Sequence, residues 1–153
     1  VYNEKKFQDL TGLQVAFVQD TQSKSSKGVL RGLHFQAGEF EQAKLVQVIK
    51  GSVLDVIVDL RKNSKTFGKQ FSIVLDDKNK QQLYVPKGFA HGFLVLEDNT
   101  IFSYKCDNYY NASSEKGIIY NDEFLNINWN LPKEQLLLSE KDLKLPTFEN
   151  LFK

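Results

Sequence analysis

The sequence predicts an all-β protein, a sandwich or barrel with short helices at its margins. Three observations carry this. Short runs rich in β-branched residues recur at roughly 8–12-residue spacing. Clusters of Gly, Asn, Asp and Ser punctuate them, and these residues make turns for distinct backbone reasons. Helical patterning is confined to two short stretches near the ends. A length of 153 residues fits one domain, expected to span residues 1–153, and suffices for a real core.

The elements follow in order. Residues 3–10 read as a short helix with Phe7 and Leu10 as its apolar contacts. Residues 14–19 read as a strand, and residues 23–28 as a polar surface loop. From Val29 onward the signal is strongly β. Residues 45–49 and 53–60 are apolar runs rich in Val and Ile, and Lys50-Gly51-Ser52 between them predicts a hairpin. Asp55 and Asp59 share parity, so both face one side of their strand. Further strands are predicted over 71–75, 82–85, 90–95 and 100–105, with turns over 63–66, 76–80 and 97–99. After Trp129-Asn130-Leu131-Pro132 the pattern shifts. Residues 139–143 start a short helix, and residues 136–138 pack it on the barrel.

Composition narrows the functional classes. An apolar fraction of 41% with 25% charged residues is that of an ordinary globular chain. A net charge of +1 gives no broad attraction to nucleic acid or anionic membrane, so neither is an expected partner. No apolar run approaches the ~20 residues of a membrane span, and no signal-peptide pattern opens the chain. The lone Cys106 precludes an intrachain disulfide and fits a reducing compartment such as the cytoplasm. The chain opens at Val1-Tyr2 without Met, so an N-terminal segment is expected to be missing.

The chemistry-bearing residues are few. There are only two histidines, and histidine is the side chain best suited to moving protons near neutral pH. His34 closes Arg31-Gly32-Leu33-His34, and His91 lies in Pro86-Lys87-Gly88-Phe89-Ala90-His91-Gly92-Phe93. Each also fits a plainer role, His34 as a hydrogen-bonded strand histidine and His91 as a residue tying down a turn. Arg31 and His34 have opposite parity, and a bulge or bend at Gly32 would bring both to one site. A site of two histidines and one carboxylate for a metal is an alternative, although no ligand spacing supports it.

Lys44 reads as a solvated strand-end lysine or as a fixed charge facing a developing oxyanion. Tyr104 reads as core packing with a hydroxyl tip. Ser139-Glu140-Lys141-Asp142 has the spacing of a helix capping box, which local sequence favours for Asp142. Tyr109-Tyr110 is a surface aromatic pair or a platform for a flat base. No Gly-rich nucleotide cradle and no Gly-x-Ser-x-Gly elbow is present.

These motifs are ordered along nearly the whole chain. Val29-Leu30-Arg31-Gly32-Leu33-His34-Phe35-Gln36, Lys44-Leu45-Val46 and Val58-Asp59-Leu60-Arg61-Lys62-Asn63-Ser64 come first. The segment around His91, then Tyr104-Lys105-Cys106-Asp107-Asn108-Tyr109-Tyr110 and Leu138-Ser139-Glu140-Lys141-Asp142, follow. Together they resemble the dTDP-4-dehydrorhamnose 3,5-epimerase family, from Tyr2 to about Asp142. The resemblance implies a cupin-type double-stranded β-helix, a homodimer, and no metal or organic cofactor. It implies a dTDP-sugar substrate, epimerised at C3 and C5 on either side of a C4 ketone.

By resemblance His34 is the base, Asp142 orients its imidazole, Lys44 lies near the C4 oxygen, and Tyr104 is the proton donor on the other face. The same resemblance assigns Gln19, Thr21, Arg31, His91, Glu115 and Lys141 to substrate binding, with Tyr109 or Tyr110 lining the nucleotide or sugar site. Two departures stand out. The family's N-terminal segment, which helps bind the nucleotide, has no counterpart before Tyr2, and Thr21 stands where relatives often have Asn. A relative acting at one carbon, or on a different nucleotide-linked 4-keto sugar, would carry much the same pattern; against a sugar-binding module without turnover stands the co-occurrence of His34, Lys44, Tyr104 and Asp142.

Overall fold

The computed structural model describes residues 1–152. Among the described residues nine strands form two antiparallel sheets that face each other. They are β1 (Gln19–Ser25), β2 (Leu30–Gln36), β3 (Lys44–Lys50), β4 (Ser52–Asp59) and β5 (Gln70–Asp76), then β6 (Leu83–Val85), β7 (Phe89–Val95), β8 (Thr100–Cys106) and β9 (Glu115–Gly117). The four-stranded sheet runs β1-β8-β3-β6, and the five-stranded sheet runs β5-β4-β7-β2-β9. Three short helices lie outside them: α1 (Glu4–Thr11), α2 (Glu140–Leu143) and α3 (Phe148–Phe152).

Helix α1 begins where Asn3 Oδ1 accepts from Lys6 N at 2.9 Å and ends at Gly12, in the left-handed region at φ 71°. Phe7 is its buried residue, packed among Tyr2, Phe17 and Tyr84. Leu10, expected to be a contact, is 87% exposed, although it lies three residues from Phe7 on the same side of the helix.

Two expectations are corrected near the N-terminus. Residues 14–18 belong to no strand, and β1 instead occupies the stretch read as loop up to Ser25. β1 contains no apolar residue, yet its seven residues pair in register with β8. It is a sheet-edge strand alternating between half-buried and exposed positions, so backbone pairing rather than side-chain burial holds it. Polar composition there resembles a loop.

The predicted hairpin between β3 and β4 does not form. β3 pairs with β6 and β8, while β4 pairs with β5 and β7. Gly51, at φ 88°, turns the chain from one sheet to the other, and its N–H donates to Asp77 Oδ2 at 2.8 Å. The reason lies in β4 itself, in which all eight residues are buried. A strand buried on both faces needs neighbours on both sides and cover on both faces.

Those two faces define two cores. Val53 and Ile57 point between the sheets, with Val46, Val48, Leu75, Phe93 and Phe102. Leu54, Val56 and Val58 point outward and are covered by the C-terminal segment through Ile118, Tyr120, Leu125, Trp129 and Phe148. Leu136 and Leu138 pack there as expected, while Leu137 is exposed and bridges to Val29. Asp55 and Asp59 share the inter-sheet parity of Val53 and Ile57, and both are fully buried.

Candidate active site

Both sheets contribute to one cleft. His34 on β2 lies opposite His91 on β7, which lies opposite Ile57 on β4. On the other sheet Thr21, Tyr104 and Val46 form one cross-strand row, and Gln19, Cys106 and Lys44 the next. Directly opposed residues project from the same face, so each row presents its side chains together. The cleft between the sheets is lined by His34, Gln36, Lys44, Tyr104, Tyr110 and Glu115, among others.

Gly32 makes the β2 geometry possible. The register with β7 shifts between Arg31 and His34, where the Gly32–Leu33 peptide is cis. Gly32 has φ 109°, and a Cβ there would stand 2.7 Å from the His91 carbonyl oxygen. The bend anticipated at Gly32 is present, and Arg31 comes close enough for its charge to act on Tyr104.

His34 Nε2 lies 2.6 Å from Asp142 Oδ1, and the Gly32 N–H donates to Asp142 Oδ2 at 3.1 Å. Burial opposes ionisation of Asp142. The His34 and Gly32 hydrogen bonds and the neighbouring Lys141 charge outweigh it and hold the carboxyl below its ordinary pKa. Asp142 also occupies the first turn of α2, where its own N–H donates to Ser139 Oγ at 3.1 Å. The expected cap therefore exists, and it uses the backbone while the carboxylate serves His34.

Lys44 and Tyr104 face this pair from the other sheet, with Lys44 Nζ 5.4 Å from the Tyr104 ring centre. Burial lowers the Lys44 pKa, opposed by Cys106, Asp55 and Glu115. Burial raises the phenol of Tyr104 above its ordinary value, while Thr21 and Arg31 pull it back. The Cys106 thiol beside them is pushed by burial up to about 11, against the charge of Lys44.

His91 is not a turn residue but a buried strand residue. Its Nε2 lies 2.9 Å from Asp55 Oδ2, and its ring packs on Phe102 and edge-on to Tyr104 at 6.4 Å. The two imidazoles thus each engage a separate carboxylate. Among the described residues no three His, Cys, Asp or Glu side chains converge as a metal site. No helix among them is long and apolar enough to cross a membrane.

At the rim, Glu115 Oε2 accepts from Tyr110 Oη at 2.6 Å and from Lys141 Nζ at 3.1 Å. Burial works against ionising Glu115, and these partners with His34 hold its pKa low. Gln19 connects to the same rim, accepting from Tyr110 N at 3.2 Å and donating to Thr21 Oγ1 at 3.4 Å. Arg31, Tyr109 and Tyr110 are exposed. Of the twelve residues singled out in the sequence, all but Arg31 and Tyr109 thus touch one another or line the cleft. Tyr109 enters only through its carbonyl, which accepts from Gln36.

The sequence reading missed Gln36, Gln42 and Asp55. Gln36 shares the parity of His34, and Gln42 that of Lys44, so the signal was alternation along β2 and into β3. Asp55 stood out as a charge inside an apolar strand, and a buried carboxylate needs a partner.

A group able to take a proton on one wall and a phenol able to give one from the other are the equipment of an acid–base enzyme. The sequence profile of the dTDP-4-dehydrorhamnose 3,5-epimerase family matches residues 1–150. The dTDP-4-dehydrorhamnose 3,5-epimerase of Escherichia coli (strain K12) is 52% identical over 153 residues, spanning 99% of this chain and 82% of that one. A crystal structure of dTDP-4-dehydrorhamnose 3,5-epimerase from Elizabethkingia anophelis NUHP1 superposes with a TM-score of 0.94 at 57% identity, covering 97% of this chain and 82% of that one. A dTDP-6-deoxy-D-glucose-3,5-epimerase from Legionella pneumophila Philadelphia 1, solved in complex with dTDP-4-keto-L-rhamnose, gives 0.93 at 46% identity, covering 99% and 79%. The chain belongs to the dTDP-4-dehydrorhamnose 3,5-epimerase family, and its paired sheets are the cupin jelly roll.

Proposed function

We propose that this chain inverts C3 and C5 of dTDP-4-dehydro-6-deoxy-D-glucose, giving dTDP-4-dehydro-L-rhamnose, through His34 and Tyr104. The observation that carries the reading is the 2.6 Å His34–Asp142 pair, set on one wall of a cleft whose other wall holds Tyr104 and Lys44.

His34 gives Nε2–H to the Asp142 carboxylate, which leaves Nδ1 to accept a proton from the carbon beside the C4 ketone. The electron pair left on that carbon moves into an enolate, and its charge gathers on the C4 oxygen. Lys44 stabilises that oxygen, and a cation in a dry site does so more strongly than in water. Asp142 supports the imidazolium that forms. Tyr104 then returns a proton to the opposite face, which burial favours by keeping its phenol protonated through neutral pH.

Gln19, Thr21, Arg31, His91, Tyr109, Tyr110, Glu115 and Lys141 bind the substrate. Arg31 offers a planar fork of donors for sugar or phosphate oxygens. His91, buried with Asp55, forms part of the floor. The reading includes a single domain acting as a homodimer in the cytoplasm, in keeping with a buried, unpaired Cys106.

Incubation with the substrate in deuterium oxide tests the proposal. Label at both C3 and C5 is expected, and label at one carbon would replace it with a single-carbon reaction. His34→Ala is expected to abolish the exchange in a folded protein, and unchanged exchange would remove His34 from the base role.

A further inference from the structure

Gln36 lies two residues beyond His34 on β2, so the two side chains face the same cleft. It is 7% exposed, and its carboxamide is almost fully engaged. Nε2 donates to the Phe40 carbonyl at 2.7 Å and to the Tyr109 carbonyl at 3.1 Å. Oε1 accepts from Asn111 N at 2.8 Å. An amide has two N–H donors, and both are spent, so Gln36 has none left to offer a substrate.

These bonds bracket one residue. Tyr109 O and Asn111 N lie on either side of Tyr110, whose own N–H is taken by Gln19 Oε1 at 3.2 Å. Tyr110 itself is 57% exposed, with its hydroxyl on Glu115. So exposed a side chain is held by that one hydroxyl bond and by the backbone that carries it. That backbone is tied, through Gln36, to the strand bearing His34.

We propose that Gln36 is a positioning residue: its carboxamide clamps the backbone around Tyr110 to β2 and so holds the Tyr110 ring at the mouth where the nucleotide-linked sugar enters. The inference rests on the reading of Tyr110 as a substrate contact. Gln36→Met keeps the side-chain length and removes the three hydrogen bonds.

KM for the dTDP-4-keto-6-deoxy sugar is expected to rise about tenfold, the scale of a lost hydrogen bond or two, with kcat changed less than about threefold. Tyr110→Ala is expected to raise KM similarly. The double variant should raise it no further than Tyr110→Ala alone, because the clamp then has no ring to hold. Additive effects, or a loss carried by kcat, would overturn the clamp. If Tyr110→Ala raises KM and Gln36→Met does not, the clamp alone falls. If Tyr110→Ala leaves KM unchanged, the substrate contact falls and the clamp's purpose with it. Amide exchange in the unaltered protein decides the matter even if Gln36→Met does not fold: slow exchange at Asn111 is expected, and exchange at the rate of a free loop would overturn the proposal.

Discussion

Asp142 combines two tasks that sequence spacing cannot separate. Its N–H belongs to the cap at Ser139, and its carboxylate belongs to His34. The capping pattern was legible because it is local. The pairing across 108 residues was not, since it depends on where α2 docks. Asp142→Asn is expected to lower kcat about a hundredfold or more, as loss of an imidazole's orienting carboxylate does elsewhere. The same carboxyl contributes to stability. Its folded-state pKa lies below its ordinary value, so the contribution is present above about pH 4 and is lost as pH falls through the folded value. Urea midpoints measured between about pH 6 and pH 3 should therefore fall less steeply in Asp142→Asn than in the unaltered protein. At the alkaline end, Tyr104 should stay protonated beyond the ordinary phenol value because burial disfavours the phenolate. Tyr104→Phe is expected to slow inversion more than the first proton exchange, and equal loss of both would make Tyr104 a positioning group.

At the scale of elements, the site depends on two short pieces of backbone. β2 bends at Gly32, where a Cβ would meet the His91 carbonyl at 2.7 Å and Gly92 Cα at 2.8 Å, at a φ that side chains resist. Gly32→Ala is expected to cost about 3 kcal/mol in chemical denaturation and to shift His34 off Asp142. Ser139→Ala removes the cap of α2 and should cost about 1 kcal/mol, with a larger loss of activity than of stability, because α2 carries Asp142. Most strands were legible from β-branched runs. β1 was not, because a polar edge strand held by pairing has the composition of a loop. The crossing at Gly51 was hidden for another reason. A tight Gly turn marks a reversal, and nothing local says whether the next strand returns to the same sheet.

For the whole molecule, the spacing of the strands announced a sandwich or barrel, and the motifs announced the family. The second core was less visible, because residues 118–139 reach it through turns with no regular period. The inter-sheet core sits directly beneath the site: Phe93 and Phe102 meet at 4.3 Å, and Phe102 contacts both His91 and Tyr104. Phe102→Ala is expected to cost about 4 kcal/mol in a denaturation series and to reduce activity beyond what the unfolded fraction explains. His34 hangs from one sheet and Tyr104 from the other, and nothing covalent fixes the gap between them. That gap is set by the thickness of the filling, as a shim sets the opening of a vice. Repacking beneath the jaws would thus alter how deeply a hexose seats, and with it the relative speed of handling at its two acidic carbons, while every reacting group stayed the same.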